Sequence, residues 1–124
     1  MALIYLAGKW EEAHIIKQYA DRLRAHGHAI TTPWFESHTG PEIEIPALKE
    51  QAIADVDGVR RCLYFIGIFE KYLPYSGAVT ELGMAIAFGK VIYIIGHGIE
   101  RNIFTHLPSV VHYDTFDKFM EELT

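Results

Sequence analysis

The sequence predicts an α/β fold: a doubly wound, five-stranded parallel sheet in the order 2-1-3-4-5, with helices on both faces. Three observations lead there. Short apolar runs recur along the chain and alternate with stretches of helical periodicity. The runs are apolar almost throughout instead of alternating with polar residues, as in strands covered on both sides. Right-handed crossovers between parallel strands then leave few topologies.

Each element has its own justification. "ALIYLA" (2–7) is a short apolar run ended by Gly8, a first strand. From Trp10 to His26, Ala13, Ile16, Ala20 and Leu23 fall on one helix face, and Gly27 stands where a C-cap glycine belongs. "HAITTP" (28–33) is rich in β-branched residues and stopped by Pro33, a second strand. Residues 34–46 hold Gly40, Pro41 and Pro46 and read as a loop long enough to serve function. A helix from about Ala47 to Arg61 follows, with Leu48, Ile53, Val56 and Val59 expected on its inner face. "CLYFIGIF" (62–69) is a central strand, and 70–76 is a loop with Pro74. "SGAVTELGMAIAFGK" (76–90) is a helix ending at Gly89, and "VIYIIG" (91–96) a buried strand. Residues 97–109 form a loop with a helical turn near Ile103, "VVHY" is the last strand, and Thr115–Leu123 a helix with Asp114 as its cap. The whole is a flavodoxin-like, Rossmann-like arrangement.

Length and composition bound the rest. At 124 residues, half hydrophobic and 13% aromatic, the chain suffices for one domain over 1–124 with a real core. The net charge of −5 argues against a nucleic-acid polymer as partner, while leaving room for a nucleotide-sized ligand. The single cysteine, Cys62, begins an apolar run and reads as an inert buried thiol. No signal peptide or membrane span is legible, so a soluble, cytoplasmic protein is expected.

In an open parallel sheet the ligand crevice lies beyond the carboxyl ends of the strands, where the winding reverses. For this order that point lies between strands 1 and 3, at "GKW" (8–10) and "EKYLPYSG" (70–77). The second loop leads into the helix whose one charge between Ser76 and Lys90 is Glu81. The helix amino end favours an ionised Glu81, fit for a nucleophile, whereas burial favours a protonated one, fit for a general acid. Sequence alone leaves both open, together with an ordinary first-turn acid. Asp55 would face the crevice only if its helix started later, or sat lower, than drawn. Tyr5, in strand 1, carries a hydroxyl that needs a partner, which an adjacent carboxylate would supply. There is no GxGxxG, Walker loop or GxSxG elbow, and "HGH" and "GHG" lack metal-ligand spacing, so no metal site is expected.

These residues resemble the nucleoside 2-deoxyribosyltransferase family and the related 2′-deoxynucleoside 5′-monophosphate N-glycosidases. The resemblance is carried by "IYLAGKW" (4–10), "ADVDGVRRC" (54–62), most strongly "GAVTELGMAIAFGK" (77–90), and more weakly "RNIFTHL" (101–107). It implies that Glu81 attacks C1′ of a 2′-deoxynucleoside to form a covalent deoxyribosyl-enzyme, which another base or water then resolves. It implies that Tyr5 orients Glu81, that Asp55 handles protons on the base, and that Gly8 and Trp10 line the base pocket. It implies a homo-oligomer, a dimer or larger, in which Asn102 reaches the sugar of a neighbouring subunit's site. No metal or organic cofactor is required, and the implied partners are a deoxynucleoside or deoxynucleotide and a free nucleobase.

The sequence departs from the family at the sugar's 5′ end. Tyr75 stands where the transferases often carry an acid six residues before the glutamate; Ser76 is one place from a phosphate-binding serine of the glycosidases; and Leu63 replaces an aspartate. Tyr75, Ser76 and Gly77 are thus candidate sugar-end contacts, and Lys9 and Arg101 candidate phosphate cations. The alternatives are a monophosphate N-glycosidase and a catalytically silent nucleotide-binding module.

Overall fold

The computed structural model describes residues 1–36 and 44–123. Gly40 and Pro41 of the expected long loop therefore lie outside the described residues. Five parallel strands form one sheet in the order β2-β1-β3-β4-β5, as predicted. They are β1 (Leu3–Ala7), β2 (Ala29–Ile30), β3 (Tyr64–Ile68), β4 (Val91–Ile95) and β5 (Val110–Tyr113). The helices are α1 (Ala13–Ala25), α2 (Ile45–Arg61), α3 (Ser76–Ala87) and α4 (Phe116–Leu123), with 3-10 turns at Trp10–Glu12, Trp34–Glu36 and Ile103–His106.

The pleat sorts the core into two layers. Ile4, Leu6, Ile66, Ile68 and Ile95 pack under α1 and α4. Tyr5, Ala7, Phe65, Phe69, Ile92 and Ile94 face the other way, under α2 and α3. Two helices close on glycines as their sequence foretold. Gly27 and Gly89 have φ of 87° and 70°, and each lets the next residue's N–H reach back to the helix, His28 to Leu23 O and Lys90 to Ala85 O.

Three local expectations need correction. α2 begins at Ile45, earlier than drawn, and Leu48 and Ile53 are exposed where an inner face was expected; Val59 is fully buried. The reason is vertical placement. Thr32 Oγ1 donates to Ala54 O and Thr31 Oγ1 to Gly58 O, both at 2.9 Å, which sets residues 54–58 level with the end of β2. Since α2 runs antiparallel to the strands, its first half projects past the carboxyl edge with no sheet beneath it. β2 is likewise shorter than its β-branched run, because Thr32 turns out of the strand at φ 46°. Finally, the cap of α4 is Thr115, whose Oγ1 accepts the Lys118 N–H at 3.2 Å; Asp114 is instead bonded to His97 Nε2 at 2.7 Å.

Candidate active site

Glu81, Tyr5 and Asp55 come from α3, β1 and α2 and meet at the carboxyl side of the sheet. Tyr5 lies on the α2–α3 face of β1, fully buried, its ring stacked on Phe65. From there its hydroxyl donates to Glu81 Oε2 at 2.6 Å, across 76 residues of sequence. Asp55 approaches Glu81 from α2 closely enough for the two carboxyl groups to perturb each other; Asp55 Oδ1 accepts from Gln51 Nε2 at 2.9 Å. The expectation that Asp55 faces the crevice only on a later or lower helix is corrected. The helix starts earlier, but its overhang brings Asp55 level with the edge.

Gly58 makes this possible. A Cβ there would lie 2.3 Å from Thr32 Oγ1 and 3.0 Å from the Tyr5 ring, so only glycine lets α2 approach β1 this closely. Asp55 stands one turn before it.

The electrostatics set burial against the helix dipole at Glu81. Glu81 is pushed up to about 8, chiefly by burial, with the Asp55 charge adding to it and the Tyr5 hydrogen bond opposing. Asp55 is also raised by burial, against the hydrogen bonds from Gln51 and Glu81. Burial and the Glu81 charge hold the Tyr5 phenol well above its usual range, so Tyr5 stays a donor. Glu81 lies in the second turn of α3, where the helix dipole has faded, and burial wins. Two carboxyl groups this close disfavour joint ionisation, which adds to the effect of burial on Glu81.

The remaining candidates divide. Gly8, Lys9 and Trp10 follow β1, and Tyr75, Ser76 and Gly77 precede or open α3 beyond β3, so these two groups flank the crevice. Gly8 is packed toward α1: a Cβ there would meet Ile16 Cδ1. Lys9 Nζ donates to Pro74 O at 2.8 Å and pairs with Glu11 at 3.4 Å. Tyr75 is buried, its hydroxyl bonded to Glu12 Oε1 at 2.8 Å, and so is a core group rather than an open contact. Ser76 and Gly77 are exposed on an α3 amino end that has no side-chain cap. Asn102 Oδ1 accepts the Phe104 N–H, and the residue lines a cavity of about 210 Å³ on α3 with Val79, Leu82, Gly83, Ile86 and Phe104. Asn102 thus takes part in a different surface from the carboxylates. Arg101 is exposed beside it.

Sequence reading missed Trp34. It sits at the end of β2, donates Nε1–H to Leu6 O at 2.7 Å, and meets Trp10 with ring centroids 6.4 Å apart. The two indoles form an aromatic corner at the mouth of β1. An aromatic residue just past the proline that ends a strand was the available signal.

Comparison with known proteins bears on the family and the fold. A family model described as nucleoside 2-deoxyribosyltransferase matches residues 4–114. No curated protein matches the chain. Among solved structures, the chain is similar to a 2-deoxyribosyltransferase from the psychrotolerant bacterium Bacillus psychrosaccharolyticus, with TM-score 0.69, 20% identity, and coverage of 95% of this chain and 90% of that one. It is similar to a 2-desoxiribosyltransferase from Leishmania mexicana, with TM-score 0.65, 20% identity and coverage of 99% and 97%. It is also similar to the CMP N-glycosidase BcmB of Clostridium botulinum, with TM-score 0.62, 21% identity and coverage of 98% and 97%. The family match and the structural neighbours place the protein among the glycosyl-transferring and N-glycosidase enzymes. The chain belongs to the nucleoside 2-deoxyribosyltransferase family.

Proposed function

We propose that the chain, acting as one domain over residues 1–124, cleaves the N-glycosidic bond of 2′-deoxynucleosides through a covalent deoxyribosyl-Glu81 intermediate. The observation that carries this is the convergence of two carboxyl groups, Glu81 and Asp55, from different helices, with the Tyr5 hydroxyl bonded to Glu81 at 2.6 Å. With the proton on Asp55, Glu81 is the nucleophile. A Glu81 oxygen forms a bond to C1′ as the C1′–N bond breaks, and the bond's electrons leave with the base, which takes the proton from Asp55. The transition state is oxocarbenium-like, and the carboxylate stabilises its charge before bonding to it. In the second half a free base, or water, gives its proton to Asp55, attacks C1′ and releases Glu81. Tyr5 holds Glu81 in line, and the Trp10–Trp34 corner offers the base an aromatic wall.

The crevice loops favour a sugar with a free 5′-hydroxyl. Lys9, the cation of the β1 loop, is already bonded to Pro74 O and Glu11, and Glu12 puts a buried carboxylate against Tyr75. The second reading, a 5′-monophosphate N-glycosidase, is supported by the uncapped amino end of α3 at exposed Ser76 and Gly77. We also propose a homo-oligomer with shared sites, which the placement of Asn102 supports, working in the cytoplasm without metal or organic cofactor. Among the described residues, no helix is long and apolar enough to cross a membrane.

The test is mass spectrometry of the protein mixed with deoxyadenosine, or its 5′-monophosphate, with and without free cytosine. One deoxyribose on the peptide holding Glu81, and deoxycytidine when cytosine is present, are expected. An adduct and base release from the monophosphate alone would select the second reading. No adduct and no released base from any common deoxynucleoside or its monophosphate would defeat both.

A further inference from the structure

We propose that Glu12 is a positioning residue for Glu81, acting through Tyr75; this rests on the reading of Glu81 as nucleophile. Glu12 ends the 3-10 turn after β1 and is 3% exposed, although it bears a carboxyl group and lies outside the Glu81–Asp55 pair. Its Oε1 accepts the Tyr75 hydroxyl at 2.8 Å. Its Oε2 is sealed from solvent and has no hydrogen-bond partner among the described residues. A fold rarely keeps such an oxygen, because a buried acceptor without a partner is destabilising. An apolar side chain would fill the space without that penalty.

What Glu12 does hold is the start of α3. Tyr75 is the residue before that helix, packed edge-on against Phe69 with ring centroids 5.0 Å apart. Its hydroxyl also accepts the Lys71 N–H at 3.3 Å, so a single oxygen gathers both ends of the 71–75 loop. Lys9 Nζ, after β1, also donates to Pro74 O in this loop at 2.8 Å, and just before the loop Glu70 accepts the Tyr19 hydroxyl of α1 at 2.8 and 2.9 Å. The loop leading to Glu81 is thereby clamped to the segment that follows Tyr5's own strand. Glu81 must stay within hydrogen-bond reach of Tyr5, and a helix transmits a shift at its start to residues one turn on.

The experiment compares Tyr75→Phe, Glu12→Ala, the double variant and Glu12→Gln in the full chain. Each of the first two is expected to lower kcat about tenfold with KM within about twofold, because alignment and not binding is lost. The double variant should be no slower than the worse single, since both remove one bond. Glu12→Gln keeps a carbonyl oxygen for Tyr75 and should retain most of kcat. Independently of turnover, amide hydrogen exchange at Lys71 and in the first turn of α3 should quicken in Tyr75→Phe and Glu12→Ala and stay unchanged in β4. Tyr75→Phe removes one oxygen and keeps the ring, so it serves if Glu12→Ala fails to fold. Unchanged kcat in the folded variants, multiplying losses in the double, or unchanged exchange would each overturn the role. An inactive wild type would sink the nucleophile reading instead, and exchange alone would then decide the clamp.

Discussion

Glu81 is an acid kept where an acid is uncomfortable, and its neighbours pull it in opposite directions. Burial and Asp55 raise it to about 8, while the Tyr5 hydroxyl lowers it. If the ionised form attacks, kcat/KM rises with pH through this range. Asp55→Asn removes a like charge, so the limb should move to lower pH, with kcat falling about 10²-fold from loss of proton transfer. Tyr5→Phe removes a donor to the carboxylate, so the limb should move to higher pH, with kcat falling about tenfold. A kcat/KM profile of the two variants checks the opposite signs. The same shift bears on folding. A carboxyl raised above its ordinary 4.5 contributes stability that is present below that value and lost as pH rises through about 8. Thermal melts of Glu81→Gln should therefore lose part of the wild type's decline over that window.

Among the elements, α2 sets the geometry of the site, and Gly58 sets α2. Alanine at 58 would gain about 1 kcal/mol of helix propensity. Its Cβ would strike Thr32, whose hydroxyl is bonded to α2, and the buried Tyr5 ring, where overpacking costs about 1–3 kcal/mol. The clash exceeds the gain. Gly58→Ala should lower the melting temperature by several degrees and separate Asp55 from Glu81, with a fall in kcat larger than any change in KM. Calorimetry and steady-state kinetics check both parts. Gly58 also marks where sequence reading stops. The strands and their order were legible because continuous apolar runs and right-handed crossovers admit few solutions. Glu81's place followed from the switch point. The height of α2 was not legible: it depends on Thr31 and Thr32 bonding to helix carbonyls, which leaves no periodic trace. For the same reason Leu48 and Ile53 read as core, and Glu12 and Trp34, whose partners lie far along the chain, escaped notice.

At the scale of the whole molecule, two groups stand out among the exposed apolar side chains of the described residues. Ile45, Leu48 and Ile53 are exposed on the overhanging half of α2, and Ile103 and Phe104 stand out beside the α3 cavity. The shared-site oligomer proposed above would cover such surface. Ile103→Asp with Phe104→Asp is then expected to give monomers in sedimentation equilibrium, and turnover should fall with them. Wild-type chains that sediment as monomers would contradict the proposal.

The Tyr5–Glu81 bond has a consequence in time as well as in space. β1 comes first along the chain, yet it lies inside the sheet between β2 and β3. Its tyrosine leaves the ribosome 76 residues ahead of the glutamate it will hold. Until β3 has paired and α3 has docked, the newborn chain holds the tyrosine without its partner. If Glu81 is the nucleophile proposed above, the enzyme is born inert and gains its reactivity only on completing its centre, so a truncated or half-folded copy would be harmless.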